Sequence, residues 1–429
     1  MKKGKYLLLF PIMALTISGC NKKNNEEQEK EFSPKLDTGT ACEIYIKGHY
    51  SDFEALDEQI NKFNAFYPNV EITYQKVDDY TSEKVIKELF VGDSAPDIYF
   101  INNGWESDSK YATFFNYAED LSDPSLGIDL SAVRDELIYR DKDGHAPVVP
   151  IFTNAYGMIV NNDIFTRNNL SIPKTYDELI RVCNSLIDLG YENPVYSYKG
   201  SLYSLYFPYF LSTINGNKEA VDALNTLEAS AGSYIRTALE KAKDFDDYEF
   251  IDKAKCIEAF EKDNTDSICY RLYKGDIPMI FSEVNRLSGS SKREDLSEDF
   301  KANPINYSFH PIPTTENGGY YYNTVALNFA VNKEGKNLAM ANEFMRFLVR
   351  SQSLNEMSSN KRQVSPAKVL GEDKFFNSFK DVLNNNRVLY YSTIGLSAEA
   401  DFQVRKTFDA YFGGETIDGA IGGYGSYKA

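Results

Sequence analysis

Strand-like and helix-like segments alternate between residues 43 and 101, and this alternation limits the possible folds more than any other feature of the sequence. Apolar residues at every second position predict strands, and apolar residues three or four positions apart predict helices. The predicted elements are, in chain order, a strand at 44–46, a helix at 53–63, a strand at 70–74, a helix at 81–91 and a strand at 97–101. This order predicts a parallel α/β sheet, in which ligands bind beyond the carboxyl ends of the strands.

Residues 156–190 predict a second α/β unit. A short strand at 158–160 precedes a helix at 176–186, and Thr175 and Glu178 have the spacing of a capping box at the start of that helix. The 429 residues are enough for two or three domains, each with a core of its own. We therefore predict an α/β protein with a cleft between two units.

The first forty residues do not have the composition of a folded domain. Three lysines precede an apolar run, Tyr6–Ile17, and the sequence ISGC that follows ends at Cys20. This pattern resembles the lipobox of bacterial lipoproteins, which implies a signal peptide at 1–19 and a diacylglyceryl group on the Cys20 thiol. Residues 20–40 contain few apolar side chains, and we expect them to form a flexible tether. An ordinary secretory signal with a chance cysteine is the alternative.

The composition argues against several classes of function. The chain has 46 Lys and Arg against 63 Asp and Glu, a net charge of −17, whereas nucleic-acid-binding proteins have a basic excess. His49, His145 and His310 are too far apart to form a metal-binding motif. The sequence also lacks the motifs of nucleotide-binding loops, zinc proteases and serine hydrolases. We predict no metal, no cofactor, no nucleic-acid partner and no enzymatic activity.

Two other features allow only general predictions. Beyond Cys20 the sequence allows one disulfide, with Cys256 and Cys269 nearest each other, or only buried free thiols. The glycine-rich segment 413–425 follows no predicted strand. We expect it to be a loose tail rather than a phosphate-binding loop.

Six segments, taken in order, resemble the bacterial extracellular solute-binding proteins of family 1, the lipoprotein receptors of sugar-type ABC importers. Each segment alone is weak evidence, but their common order is specific to the family. The segments are FNAFYPNVEITY (63–74), VGDSAPDIYFINN (91–103), YGMIVNNDIFTRNNLSIPKTYDELI (156–180), KGDIPMIFSE (274–283), FHPIPTTENGG (309–319) and ALNFAVNKEGKNLAMANEFMRFLVRS (326–351).

The resemblance implies a two-lobed periplasmic-binding-protein-like α/β fold, with three segments crossing between the lobes. The crossings would lie at Thr153–Tyr156, His310–Pro313 and Val364–Pro366. The implied division is 41–152 plus 314–364 for lobe one, and 156–310 plus 366–429 for lobe two.

The resemblance also implies a function. The protein would capture a carbohydrate, which we predict to be an oligosaccharide, by closing its lobes, and deliver it to the transmembrane subunits of an ABC permease. We expect a monomer held by the lipid on Cys20 at the extracytoplasmic face of the cell membrane. A receptor for another solute, such as a polyamine or a phosphorylated polyol, is the alternative, and a secreted lipoprotein hydrolase is a more distant one.

A sugar needs flat apolar surfaces for its rings and hydrogen-bonding groups for its hydroxyls. Aromatic and polar residues of both kinds follow the predicted strands. Trp105 is the only tryptophan and lies in a polar loop with no evident part in a core, so we expect it to pack on a sugar ring. Glu283 follows a strand, and its two oxygens can accept hydrogen bonds from paired hydroxyls. The predicted ligand-binding residues are Tyr50, Asn102, Asn103, Trp105, Glu106, Asn154, Tyr203, Glu283, Asn285 and Tyr321.

Overall fold

The computed structural model covers most of the chain beyond the predicted signal peptide. The described residues are 31–50, 53–197, 199–252, 254, 256, 271–283 and 290–428. Ser33–Ala429 forms one compact unit by itself. The predicted signal peptide, 1–19, and Cys20 lie outside the described residues.

Strands and helices alternate along most of this unit. The strands in the described residues are β1 (Cys42–Gly48), β2 (Val70–Lys76), β3 (Ile98–Ile101), β4 (Val149–Asn161), β5 (Val195–Tyr196), β6 (Met279–Glu283), β7 (Tyr307–His310), β8 (Ile312–Thr315), β9 (Gly318–Val331) and β10 (Val388–Tyr390). The helices are α1 (Glu54–Asn64), α2 (Glu83–Leu89), α3 (Ala112–Asn116), α4 (Asn162–Arg167), α5 (Tyr176–Asp188), α6 (Lys199–Ile214), α7 (Lys218–Asn225), α8 (Arg236–Asp247), α9 (Ser290–Leu296), α10 (Glu298–Ala302), α11 (Leu338–Leu348), α12 (Ser351–Asn360), α13 (Asn377–Asn384), α14 (Tyr391–Ile394), α15 (Ala398–Phe412) and α16 (Ile417–Gly422).

The predicted parallel sheet is present in the first hundred residues. β1 pairs in parallel with both β2 and β3, and Ile44 lies opposite Ile72. The strand order is β2-β1-β3-β9-β4-β6-β5, with β7 beside β4, and β8 and β10 beside β9. The predicted capping box at α5 is also confirmed, because the backbone N–H of Glu178 donates to Thr175 Oγ1 and that of Thr175 donates to Glu178 Oε2, both at 3.3 Å.

Two long strands, β4 and β9, belong to both halves of the fold. The first half of β4, 149–153, pairs with the second half of β9, 325–329, which itself pairs with β3. The second half of β4 pairs with β6 and β7, and residues 154–156 also pair with the first half of β9. We call the half built on β1–β3 lobe one and the half built on β5–β8 and β10 lobe two.

The segment His310–Pro313, where the second crossing is predicted, leads into a hairpin. β8 pairs with the start of β9 as a hairpin, so Ile312 lies opposite Tyr320 and both pack in lobe two. β9 continues from this hairpin and pairs with β3 of lobe one. Tyr321 and Tyr322, in the first half of β9, are both buried among residues of lobe two.

The last part of the predicted tether, 20–40, makes hydrogen bonds to lobe one. The backbone N–H of Lys35 donates to Glu343 Oε1 at 2.9 Å, and the Arg346 guanidinium donates to the Ser33 carbonyl at 2.6 Å. Glu343 is 4% exposed and accepts two further bonds from Arg346. A buried carboxylate needs such partners. The ion pair of Glu343 and Arg346 therefore holds the chain from Ser33 onward against α11 in lobe one.

Lobe two has an apolar core on each face of its sheet. Met158 and Val160 pack into one core, with α5, α6 and α8, whereas Ile159 packs into the other with Phe309. Successive side chains of a strand point to opposite faces, and both faces here are covered. This explains the continuous apolar run in β4.

The glycine-rich C terminus is not the loose tail expected from its sequence. Thr416 caps α16 by accepting a hydrogen bond from Gly419, and Tyr424 is 1% exposed. The Tyr424 hydroxyl donates to the Leu224 carbonyl at 2.7 Å, which fastens this end to α7. Within the described residues, no helix combines the length and apolar character that a membrane span requires.

Candidate functional site

The register of the strands brings several predicted residues to the boundary between the lobes. β3 runs antiparallel to β9, with Ile101 opposite Asn328, so its carboxyl end points toward the crossing of β9. β1 is parallel to β3 and ends at the same edge. In lobe two, Glu283 at the end of β6 lies opposite Tyr156, two residues beyond Asn154 in the middle of β4. Strand ends from both lobes therefore face one cleft.

The lobe-one wall begins with His49 and Tyr50, directly after β1. The Tyr50 ring packs edge-on against Phe53 and Phe100, with centroids 5.7 and 5.5 Å apart, and burial raises its pKa to about 12. Burial lowers the pKa of His49, so its imidazole is neutral at pH 7. His49 Nδ1 is buried and has no hydrogen-bond partner among the described residues. This wall is mainly aromatic, with the Lys361 ammonium 5.8 Å from the centre of the Phe53 ring.

The loop after β3 carries three predicted residues in different environments. Asn102 is half-buried, whereas Asn103 and Glu106 are exposed. Gly104 has φ +86°, a backbone conformation that residues with a side chain rarely adopt, and this turn allows the loop to reverse after β3. Asn102 and Asn103 directly follow the carboxyl end of β3, whereas Glu106 lines a separate lobe-one pocket with Tyr139 and His145.

Trp105 is part of the lobe-one core, contrary to the expectation that its loop contributes nothing to a core. The side chain is 8% exposed. Its ring stacks on Tyr111 with centroids 4.2 Å apart and an 8° angle between planes, and it also packs against Phe114 and Tyr80. The sequence did not reveal this burial because the three partners belong to other segments. Its contact with a ligand remains a prediction.

The hinge contains two buried amide groups. Asn323 is 1% exposed, and its Nδ2 donates to Thr153 Oγ1 at 3.0 Å and to the Asn154 carbonyl at 2.9 Å. Thr153 Oγ1 in turn donates to the Val364 carbonyl at 2.6 Å, which ties the third crossing segment to β4. The Oδ1 atoms of Asn154 and Asn323 are buried and lack a hydrogen-bond partner in the described part of the chain. Such acceptors are costly unless something donates to them.

The lobe-two wall holds a carboxylate and two tyrosines. The Tyr156 hydroxyl donates to Glu283 Oε1 at 2.6 Å, and its ring lies 5.0 Å from that of Tyr322. Burial, and to a smaller extent the neighbouring Glu283 carboxylate, raises the pKa of Tyr156 well above its usual range. Tyr156 is therefore a neutral donor that orients Glu283.

Arg405, on α15, is a residue of this wall that sequence reasoning missed. Its guanidinium lies 5.0 Å from the centre of the Phe207 ring, and its Nε donates to Asp401 Oδ2 at 2.8 Å. The positive charge acts on the hydroxyls of both Tyr156 and Tyr322. In the sequence, Asp401 and Arg405 have the spacing of an ordinary ion pair on a helix surface, so no local signal marks them.

Tyr321 is placed away from this wall. Its side chain is fully buried against Phe379, with ring centroids 4.6 Å apart, on the face opposite to Tyr322. Its hydroxyl accepts a hydrogen bond at 3.0 Å from Arg134, which is 4% exposed. The predicted role in ligand binding does not fit this position, because alternation along β9 turns Tyr321 into the second core of lobe two.

Some predictions fall partly or wholly outside the described residues. Asn285 and Cys269 lie outside them, and of Tyr203 only the backbone, in α6, is described. Cys42 and Cys183 are free thiols, the second of them buried. In the described ranges no group of His, Cys, Asp and Glu is arranged to hold a metal ion.

Residues 47–353 match the model of the family described as bacterial extracellular solute-binding protein. The chain belongs to this family. The match extends over more than half of the chain and includes the cleft walls from His49 to Tyr322. It confirms the resemblance that the six segments indicated. No curated protein matches this solute-binding protein in sequence.

Solved structures of sugar-binding proteins share the two-lobed α/β fold of this solute-binding protein, which confirms the predicted fold class. RafE in complex with raffinose has a TM-score of 0.64 and 17% identity, over 90% of this chain and 98% of its own. MalE from Xanthomonas citri has a TM-score of 0.65 and 15% identity, over 89% and 94%. The GacH receptor of Streptomyces glaucescens, solved unliganded and with acarbose, has a TM-score of 0.64 and 16% identity, over 90% and 97%.

Proposed function

We propose that this solute-binding protein captures an oligosaccharide between its lobes and delivers it to an ABC permease. The observation that carries the proposal is a set of three buried polar atoms at the cleft that lack partners in the described residues: His49 Nδ1, Asn154 Oδ1 and Asn323 Oδ1. The two amide oxygens can accept hydrogen bonds from hydroxyls, and the His49 ring nitrogen can donate or accept one according to its tautomer. The similar fold of proteins solved with raffinose and acarbose supports the same ligand class.

A neutral ligand fits the charges of the cleft better than an ionic one. Glu283 accepts a hydrogen bond from Tyr156, and Arg405 is already paired with Asp401. A polyamine would need several converging carboxylates, and a phosphorylated polyol would need basic groups directed at the phosphate. We therefore favour a sugar over these alternatives, with the half-buried Tyr156 as an apolar face for one of its rings.

Capture would follow from the placement of the site on two lobes. His49 and Asn102 belong to lobe one, whereas Tyr156, Glu283 and Arg405 belong to lobe two. A ligand contacts both sets only when the lobes approach, so its binding free energy favours the closed arrangement. For lobe boundaries we propose 33–153 plus 325–363, and 155–323 plus 366–428, with the crossings between them.

Binding titrations test the sugar proposal. A calorimetric screen with raffinose, maltose-type and xylose-type oligosaccharides should find a ligand, and Glu283→Gln should weaken it by about 10- to 150-fold, the effect of losing a bond to a charged group of about 1.5–3 kcal/mol. Tyr156→Phe should weaken it by a similar factor. Tyr248→Phe, at a tyrosine that is 51% exposed in lobe two, is the matched control. Binding of a polyamine or a phosphorylated polyol, and of no sugar, would refute the proposal.

We also propose that Cys20 carries lipid and anchors the protein outside the cell membrane, with a tether of residues 20–32 and the body acting as a monomer. The ISGC sequence and the extracellular character of the family support this. Wild-type protein should partition into the detergent phase, whereas Cys20→Ser should not. Cys42→Ser is the control and should partition as wild type does. Equal partitioning of wild type and Cys20→Ser would refute the anchor.

A further inference from the structure

An ion pair joins the two lobes beside the hinge. Arg362 follows α12, the last helix of lobe one, and its guanidinium donates to both oxygens of Glu294 on α9 in lobe two, at 2.7 and 3.3 Å. The Tyr307 hydroxyl donates to Glu294 Oε1 at 2.7 Å. The guanidinium also lies 4.5 Å from the centre of the Phe375 ring. These partners belong to lobe two, so the Arg362 side chain spans the boundary.

The local environment makes this pair stronger than an exposed one. The side chains of Arg362 and Glu294 are each 16% exposed, so solvent and salt screen their interaction only partly. Two parallel bonds between a guanidinium and a carboxylate also restrict their relative orientation. A small change in the angle between the lobes would therefore break at least one of these bonds.

The backbone at Arg362 adopts the left-handed conformation that ends α12. Its φ is +48°, in the left-handed region that glycine and asparagine tolerate and that disfavours other residues. The backbone N–H groups of Arg362 and Gln363 donate to the carbonyls of Ser359 and Ser358, the usual pattern at the end of a helix. This helix end places Arg362 at the boundary between the lobes, two residues before Val364 in the third crossing.

We propose that Arg362 and Glu294 form a latch that sets the resting angle between the lobes of the ligand-free protein. This inference rests on the proposed capture by lobe closure. Ligand-driven closure would have to break the latch, so the latch lowers the affinity for the sugar and narrows the range of lobe angles. Both residues are then positioning residues, because neither is a predicted ligand contact.

Charge reversal tests the latch. The variants are Arg362→Glu, Glu294→Arg and the double reversal, with fluorophores on unnatural amino acids at Lys87 in lobe one and Lys218 in lobe two, both on exposed helix surfaces. Single-molecule energy transfer without ligand should show a broader distribution of distances in each single variant. The double variant should recover the wild-type width, because it restores the pair with opposite polarity.

Affinity provides the second readout. Each single variant should bind the sugar about 5- to 30-fold more tightly, which is within the usual range for the coupling between two sites of a protein. The affinity of the double variant should return to within about twofold of wild type. Unchanged distance distributions in the single variants, no recovery in the double variant, or weaker binding by the single variants would each overturn the latch.

Two controls separate the possible failures. Glu294→Gln keeps the size of the side chain and serves as the variant if a reversed charge prevents folding, which circular dichroism would detect. The distance measurement uses no ligand. It therefore tests the latch even if no sugar binds, an outcome that would refute only the proposed function.

Discussion

Replacing Trp105 tests whether the aromatic cluster after β3 is a core, as the structure shows. The indole is 8% exposed and stacks on Tyr111 at 4.2 Å. Burial of an aromatic side chain removes about 150–250 Å² from water, which at about 25 cal/mol per Å² gives roughly 4–6 kcal/mol as an upper value. Trp→Ala substitutions in cores cost about 3–5 kcal/mol, and we expect Trp105→Ala to lower the free energy of unfolding by that amount.

Urea unfolding followed by far-ultraviolet circular dichroism measures this loss, with Trp105→Phe as the matched variant. Phenylalanine keeps the stacking on Tyr111, so we expect a loss of about 1–2 kcal/mol. Because Trp105 is the only tryptophan, its emission reports on one site. The ligand-free protein should already emit as a buried indole, so a ligand should shift the maximum little, instead of the larger blue shift that an exposed indole would give. A loss below about 1 kcal/mol in Trp105→Ala, or the emission of an exposed indole, would refute the burial.

Three further predictions concern the closure of the lobes, His310 and the loop after β3. Saturating ligand should reduce the radius of gyration in solution scattering, and an unchanged radius at proven saturation would contradict lobe closure. Burial, with a smaller effect of Lys174, lowers the pKa of His310 to about 4. Between pH 6.5 and 4 the unfolded state therefore binds more protons than the folded state, so the free energy of unfolding decreases as the pH is lowered, by up to about 3 kcal/mol. His310→Gln should reduce this dependence in urea unfolding at pH 7 and pH 4.5, and equal dependence in both proteins would count against it. Gly104→Ala should lower the free energy of unfolding by about 1–2 kcal/mol. The loss would come from the φ of +86° alone, because no atom lies within 4 Å of the added methyl group, and an unchanged free energy of unfolding would refute that strain.

Several functional residues depended on contacts that no local pattern predicts. Arg405 reaches this wall through contacts of its side chain with Phe207 of α6 and, by its charge, with Tyr156 of β4, both of which lie far earlier in the chain. Tyr321 and Tyr322 are neighbours in a tyrosine run, yet one is buried beside Arg134 and the other lies beside Tyr156. The sequence alone could not show which face of β9 meets the cleft. Three consecutive tyrosines, 320–322, place a tyrosine on each face of the strand, whichever face is turned to the cleft.

The sequence by itself determined the α/β class, the parallel strands β1–β3, the capping box of α5 and the family. These properties depend on the spacing of apolar residues, on helix caps and on the order of short segments, all of which are local. Only the tertiary structure decided that Trp105 is in a core, that β9 pairs with strands of both halves of the fold, and that Arg362 meets Glu294. Each of these depends on which residues pack or pair in three dimensions, where many partners are chemically equivalent and packing selects one.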